Sequence, residues 1–252
     1  MKNILLILLC FALLKANAEN IVDTVKKTQA ATSETVKASS FILPAALITY
    51  GALSFDVHPI RRFDYYVRGQ VAHNAPGFHT NAATYLLFTP IVAVYSLNLA
   101  GIHGRNNFTD RTALIALSAA FAGISDFSLK HMVHRFDPTG TNLASFPSGH
   151  TMGAFAAAEF LAQEYGDQSP AYTIAGYTVA IGTGVLRLYT RNHWFSDVVA
   201  GAGFGIASTK LAYLVYPAIR KWVTHNDKDG KSTFIMPTYQ DGMAGLAFAK
   251  TF

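Results

Sequence analysis

FPSGHTMGAFAAAEFLA, residues 146–162, sets a proline, a serine, a glycine and a histidine directly before a run of small apolar residues. The run shows no strict alternation of apolar and polar positions, so helix is favoured over strand. If the helix begins near Thr151, the backbone N–H groups before it lack intrahelical partners and point outward. Such a helix start accepts an anion, helped by the helix dipole. Gly149 lets backbone approach a ligand closely, Ser148 adds a hydroxyl donor, and His150 places a proton donor beside the anion. A serine at this place also serves as an ordinary N-cap, and that reading stands beside the first.

Working outward, six apolar stretches appear: Phe41–Phe55, Ala82–Ile102, Thr112–Leu129, Thr151–Ala162, Ala171–Tyr189 and Val198–Ile219. Crossing a bilayer takes about 20 apolar residues. The second, third, fifth and sixth stretches have that length. The first is short and contains Pro44; the fourth is short and contains Glu159. Charged residues make up only 14% of the 252-residue chain and hydrophobic residues 51%, whereas soluble domains average roughly 25% charged. The expectation is an all-α helical bundle of about six apolar helices, mostly membrane-spanning. Gly201-Ala202-Gly203-Phe204-Gly205 follows no strand, so it reads as small residues that let helices approach closely rather than as a nucleotide loop. The tail alternates loosely around Gln240-Asp241-Gly242, which predicts a small C-terminal hairpin.

At the start, Lys2, the apolar run Ile4–Leu14 and Ala16-Asn17-Ala18 have the layout of a secretory signal peptide. The organisation expected is therefore a signal peptide over 1–18 and a lead-in over 19–81 with a short apolar helix and a polar loop. A helical core over 82–219 and a tail over 220–252 follow. Cys10, the only cysteine, lies inside the leader, which leaves the mature chain without disulfide or thiolate chemistry. The net charge of +5 comes without a basic run, which argues against a nucleic-acid partner. It suits a membrane surface or an anionic substrate. No sequence feature indicates an oligomeric state.

Two segments gather ionisable residues at the ends of apolar helices, where such groups are costly and usually functional. They are LKHMVHRFDPTGTNLASFPSGH, 129–150, and GVLRLYTRNHWFSDVVAG, 184–201. His193 and Asp197 are four apart, on one helical face. A carboxylate there can accept the imidazole N–H and leave the other ring nitrogen as a nucleophile; a solvated surface pair is the plainer alternative. Arg187 offers a fork of donors suited to phosphate oxygens, or it snorkels from a helix end. A metal site built from His131, His134, His150 and His193 is a competing reading. Lys130, Arg135 and Arg187 oppose it, because cations disfavour a neighbouring metal and favour a neighbouring phosphate.

Together the segments resemble the type 2 phosphatidic acid phosphatase family, which includes bacterial class A acid phosphatases and vanadium haloperoxidases. The family shows Lys, six residues, Arg-Pro; then Pro-Ser-Gly-His; then Ser-Arg, five residues, His, three residues, Asp. Here the second motif is complete as Pro147-Ser148-Gly149-His150. The third keeps Arg187, His193 and Asp197, with Leu186 at the serine position. The first keeps Lys130 and Pro138, with Asp137 at the arginine position. The resemblance covers roughly 82–217. It implies that His193 attacks phosphorus, Asp197 orients it and His150 protonates the leaving oxygen. Lys130, Arg187, Ser148 and the Gly149 amide then hold the phosphoryl oxygens, with no metal or other cofactor. Arg135, two residues before Asp137, is the expected substitute for the missing arginine. The substrate class implied is a phosphorylated lipid: phosphatidate-like, polyprenyl diphosphate or lipid A phosphate. The alternatives are a soluble periplasmic acid phosphatase and a non-catalytic phosphate-lipid-binding relative. The expected location is a bacterial inner membrane with the site facing the periplasm, on the reading that Phe41–Phe55 does not cross; periplasm is the alternative.

Overall fold

The structure is a computed structural model that describes residues 37–223 and the backbone of 233–240 and 243–250. The leader and the first part of the lead-in lie outside the described residues. A 3-10 turn, Ala38–Phe41, opens into α1 (Ile42–Leu53), followed by α2 (His58–Asn74), α3 (Ala82–Leu86) and α4 (Thr89–Leu99). Four longer helices follow: α5 (Phe108–Val133), α6 (Gly149–Tyr165), α7 (Pro170–Tyr189) and α8 (Phe195–Val223). Strands β1 (Thr233–Gln240) and β2 (Met243–Lys250) pair antiparallel, from Thr233 opposite Lys250 to Gln240 opposite Met243. The expected C-terminal hairpin is therefore present.

Helix α6 is the hub. Ala154, Ala156, Ala157 and Ala158, with Thr151, Met152, Phe160, Leu161 and Tyr165, are buried, and α5, α7 and α8 pack around it. The Gly201–Gly205 stretch explains how α8 comes so close. A Cβ at Gly201 would stand 2.6 Å from the Ser148 carbonyl oxygen, and one at Gly205 would strike the Met152 carbonyl. Gly203, on another face, lies under the Pro44 carbonyl of α1. Small residues thus let backbone meet backbone where the site is built.

Two local features differ from the sequence-based expectation. Residues 58–74, expected as polar loop, form the 17-residue α2, started by Pro59 in its first turn. Ala82–Ile102, expected as one stretch, divides into α3 and α4 just before Pro90, which has no N–H to carry the ladder through.

Among the described residues, three helical segments are long and apolar enough to cross a membrane: Ala82–Leu99, Phe108–Val133 and Phe195–Val223. Only 22% of the α5 window is buried inside the protein, and Ile124 and Phe127 stand on its outside. Apolar surface on this scale marks contact with lipid rather than water. α7 has the length but is diluted by glycines, threonines and tyrosines, and it falls outside this set. α1, at about 18 Å, is too short to cross a core about 30 Å thick. The chain bends by 85° between α1 and α2.

Candidate active site

The site lies where the C-terminal end of α5 and the starts of α6 and α8 meet. α6 begins at Gly149, two residues earlier than the sequence predicts, with Ser148 as its N-cap residue. The first intrahelical bond runs from Met152 N–H to the Ser148 carbonyl at 2.9 Å. The amides of Gly149, His150 and Thr151 therefore have no partner within the helix. The Ser148 hydroxyl pairs with Thr151 Oγ1 at 2.9 Å rather than capping an amide. Lys130, in the last turn of α5, holds Asp126 at 2.8 Å. A Cβ at Gly149 would come within 3.2 Å of Lys130 Nζ and 3.0 Å of Asp126 Oδ1, so glycine is what allows these charges to approach the helix start.

His193 is buried in the turn between α7 and α8. Its Nδ1 lies 2.7 Å from the Ser145 carbonyl oxygen. A carbonyl only accepts, so Nδ1 carries the proton and Nε2 keeps a lone pair. Burial, then the Arg187 charge, hold the imidazole pKa down at about 3; the Ser145 bond opposes them, and Lys130 and His150 add to the lowering. The ring is neutral at physiological pH, as a nucleophile requires. His150, in the first turn of α6, has Nε2 3.1 Å from Thr84 Oγ1. Burial, with Arg187 and Lys130, holds its pKa below the ordinary value, and Asp126 opposes them. Arg187, at the end of α7, has a buried Nε–H with no partner among the described residues. A buried donor of this kind is ready for an anionic oxygen. Lys130, Ser148, Gly149, His150, Arg187 and His193 are thus placed around one helix start.

Asp197 does not bond His193 directly. Its Oδ2 is 3.9 Å from Nδ1 and instead accepts from the Ser145 hydroxyl at 2.5 Å and the Trp194 amide at 2.9 Å. Ser145 thus stands between the two, its hydroxyl bonded to Asp197 and its carbonyl to the ring. Asp197 Oδ1 takes a 2.6 Å bond from Arg135. Arg135, expected at the phosphate, is engaged by other groups here. Its other contacts are Asp64 at 2.8 Å, Ser196 Oγ at 2.9 Å and Ser54 Oγ, and its guanidinium lies over the Phe55 and Trp194 rings. Both ends of the fork are occupied behind His193. Asp137 is also accounted for. Its carboxylate accepts from the Thr139 and Thr141 amides at 3.0 Å each and from both hydroxyls, shaping its own loop. These bonds outweigh its partial burial and lower its pKa.

Sequence reasoning missed Asp64, Ser145, Asp126 and Thr84. Asp64 carried one faint signal, being the only acid in a helix with three arginines. Ser145 contributes a carbonyl, which any residue would supply. Among the described residues, no group of three or more His, Cys, Asp or Glu side chains converges as a metal site. A cavity of about 450 Å³ runs from Asp126, Lys130, Gly149 and His150 between α4, α5 and α6, walled by residues such as Leu87, Phe88, Ile91, Ile115 and Met152.

This arrangement of two histidines, a lysine and an arginine at a helix start defines a class. The PAP2 superfamily model matches residues 111–221, the part of the fold that carries it. Among individual proteins, the chain is 39% identical over 142 residues to the lipid A 1-phosphatase of Porphyromonas gingivalis, covering 56% of this chain and 32% of that one. It is 42% identical over 74 residues to the lipid A 1-phosphatase of Rhizobium etli, covering 29% of each. The chain thus spans about a third of the length of these relatives. Among solved structures, it is similar to a Bacillus subtilis transmembrane PAP2-type phosphatidylglycerolphosphate phosphatase. There the TM-score is 0.49 and the identity 18%, over 73% of this chain and 99% of that one. Aquifex aeolicus LpxE aligns with a TM-score of 0.42 and 19% identity, over 66% of this chain and 92% of that one.

Proposed function

We propose that this protein is a lipid phosphatase that works through a phosphohistidine. The observation that carries the reading is the cavity: an apolar channel that ends on Lys130, Gly149 and His150. An acyl chain or prenyl tail fits the channel, and its phosphate then meets the cations. His193 Nε2 attacks phosphorus as the bond to the leaving oxygen breaks, and protonated His150 gives that oxygen its proton. Water then attacks the phosphohistidine, passing a proton back to His150, and inorganic phosphate leaves. Lys130, Arg187, the Ser148 hydroxyl and the Gly149 amide hold the phosphoryl oxygens where negative charge develops. Asp197, through Ser145, keeps Nδ1–H fixed. No residue in this scheme calls for a metal.

The named relatives favour a lipid A-type phosphate as substrate, with phosphatidate and polyprenyl diphosphate as the other members of the class. The location proposed is an inner membrane with the site facing the periplasm. Among the described residues, Lys130 lies at the end of the second candidate span, so the site emerges on the same side as α1 and α2 when that bent pair does not cross. The test is phosphate release by detergent-purified protein from a panel of lipid phosphates and from a short water-soluble phosphomonoester. Ala119→Phe, which fills the channel away from the cations, is expected to depress turnover of the long-chain lipids and spare the short ester. Equal loss on both, or no turnover of any lipid phosphate, contradicts the reading.

A further inference from the structure

Arg191 occupies a position built for glycine. α7 ends with Arg191 N–H bonded to the Leu188 carbonyl at 2.9 Å and Asn192 N–H to the Arg187 carbonyl at 3.2 Å. This is the paired closure of a helix whose next residue turns left-handed, a place usually taken by glycine. Arg191 adopts φ 55 there, one of only two non-glycine residues with positive φ among the described residues. A side chain in that conformation is disfavoured. Its guanidinium has no hydrogen-bond or ion-pair partner among the described residues that would offset the strain. Strain kept without a local partner points to function.

What Arg191 faces supplies the second observation. It lines a narrow seam together with His193, Arg68 and Pro138. Arg68 also lacks an ion pair among the described residues and lies over the Trp194 ring, 5.7 Å from its centroid. Asp64 is the one acid on the seam, and Arg135 and Ser196 already occupy its carboxylate. The first motif has lost its arginine to Asp137, and Arg135 is held behind the nucleophile. The geometry points to Arg191, with Arg68 beside it, as an anion-binding edge of the site that takes phosphate oxygens of the substrate on the α2 side of His193. The inference rests on the phosphatase reading and names a residue that the motifs do not.

The experiment compares wild type with Arg191→Gly, Arg191→Asn and Arg191→Lys in detergent, by melting temperature, kinetics and vanadate inhibition. Arg191→Gly relieves the left-handed strain and is expected to melt a few degrees higher, on the order of 2–4 °C. It is also expected to raise KM about 10- to 100-fold, the range for a lost charge-assisted contact, with a smaller change in kcat. Vanadate affinity falls in parallel, and Arg191→Lys recovers part of both. Asparagine also tolerates the left-handed region, so Arg191→Asn gives the same reading if the glycine variant expresses poorly. A lipid monophosphate and a lipid diphosphate separate two sources of the anion. A KM rise on both assigns Arg191 to the reacting phosphoryl group; a rise on the diphosphate alone assigns it to a second phosphate. Wild-type KM on both substrates together with wild-type vanadate inhibition overturns the proposal. If wild type turns over no phosphate ester, the function reading itself fails. Calorimetric vanadate binding to wild type and Arg191→Gly then still decides whether Arg191 holds an oxyanion.

Discussion

Replacing Arg135 with alanine separates its two assignments. In the structure it joins two carboxylates from distant parts of the chain, Asp64 at 2.8 Å and Asp197 at 2.6 Å. Their side chains are 1% and 0% exposed. Arg135→Ala leaves both acids without their cation, and removing one partner of a buried ion pair costs about 3–5 kcal/mol. For a chain of this size that is a fall in melting temperature of about 6–20 °C. The Ser196 bonds to Asp64 and the Ser145 and Trp194 bonds to Asp197 remain, so the lower half of that range is expected. Arg187→Ala is the control. Its Nε–H has no partner among the described residues and its Nη2 gives one bond to the Asn192 side-chain oxygen, so it is expected to lose far less melting temperature than Arg135→Ala and to fail in turnover. The assay is thermal unfolding in detergent beside steady-state kinetics. An Arg135→Ala protein with wild-type melting and a raised KM would return Arg135 to the phosphate and refute the clamp.

Other outcomes follow from the same geometry. Since His150 must carry a proton and its pKa is held below the usual 6.5, kcat/KM is expected to fall as pH rises through that lowered value. Bound phosphate offsets the Arg187 and Lys130 charges, so the matching limb in kcat lies at higher pH; Asp126→Asn removes a carboxylate that raises the pKa and shifts the kcat/KM limb further down. Pre-steady-state pH profiles check both. Asp137→Arg is expected not to raise activity but to loosen the 137–142 loop, read as faster proteolysis there, because four bonds to Thr139 and Thr141 are lost. Gly201→Ala drives a methyl into the Ser148 carbonyl and is expected to destabilise by about 1–3 kcal/mol while also slowing turnover, since it shifts the residue that caps α6. A cysteine placed at Thr139 is expected to react with an impermeant maleimide in intact spheroplasts; labelling only after lysis would put the site in the cytoplasm.

The bundle was legible because its apolar stretches are long and free of alternation. Five of the six expected stretches lie over a single helix, and α5 extends beyond its stretch at the polar end where Asn107 accepts from the Asp110 amide. The remaining one, Ala82–Ile102, reads as one stretch in the sequence, and its break before Pro90 was missed. α2 was not legible as a helix, since its arginines, tyrosines and histidines hide a face that buries only Asp64 and Val71. In the site, Lys130, Ser148, Gly149, His150, Arg187 and His193 could be picked out because their chemistry and spacing are local. Arg135 could not be placed, because what decides its role is Asp64, 71 residues earlier, and Asp197, 62 residues later. Spacing within the 129–150 segment carries no trace of either. The same holds for the Ser145 carbonyl, a backbone group that takes the bond expected of Asp197.

The central claim is that His193 Nε2 accepts the phosphoryl group. Its most direct test is acid-free quenching of enzyme during turnover of a radiolabelled lipid phosphate, followed by peptide mapping under alkaline conditions that preserve phosphohistidine. The account predicts label on the peptide bearing His193 in wild type. It predicts greater accumulation in His150→Ala when an activated leaving group that needs no proton is used, and no label in His193→Ala, whose turnover falls on the order of 10⁴-fold or more. Label on another residue, or turnover surviving in His193→Ala, contradicts it.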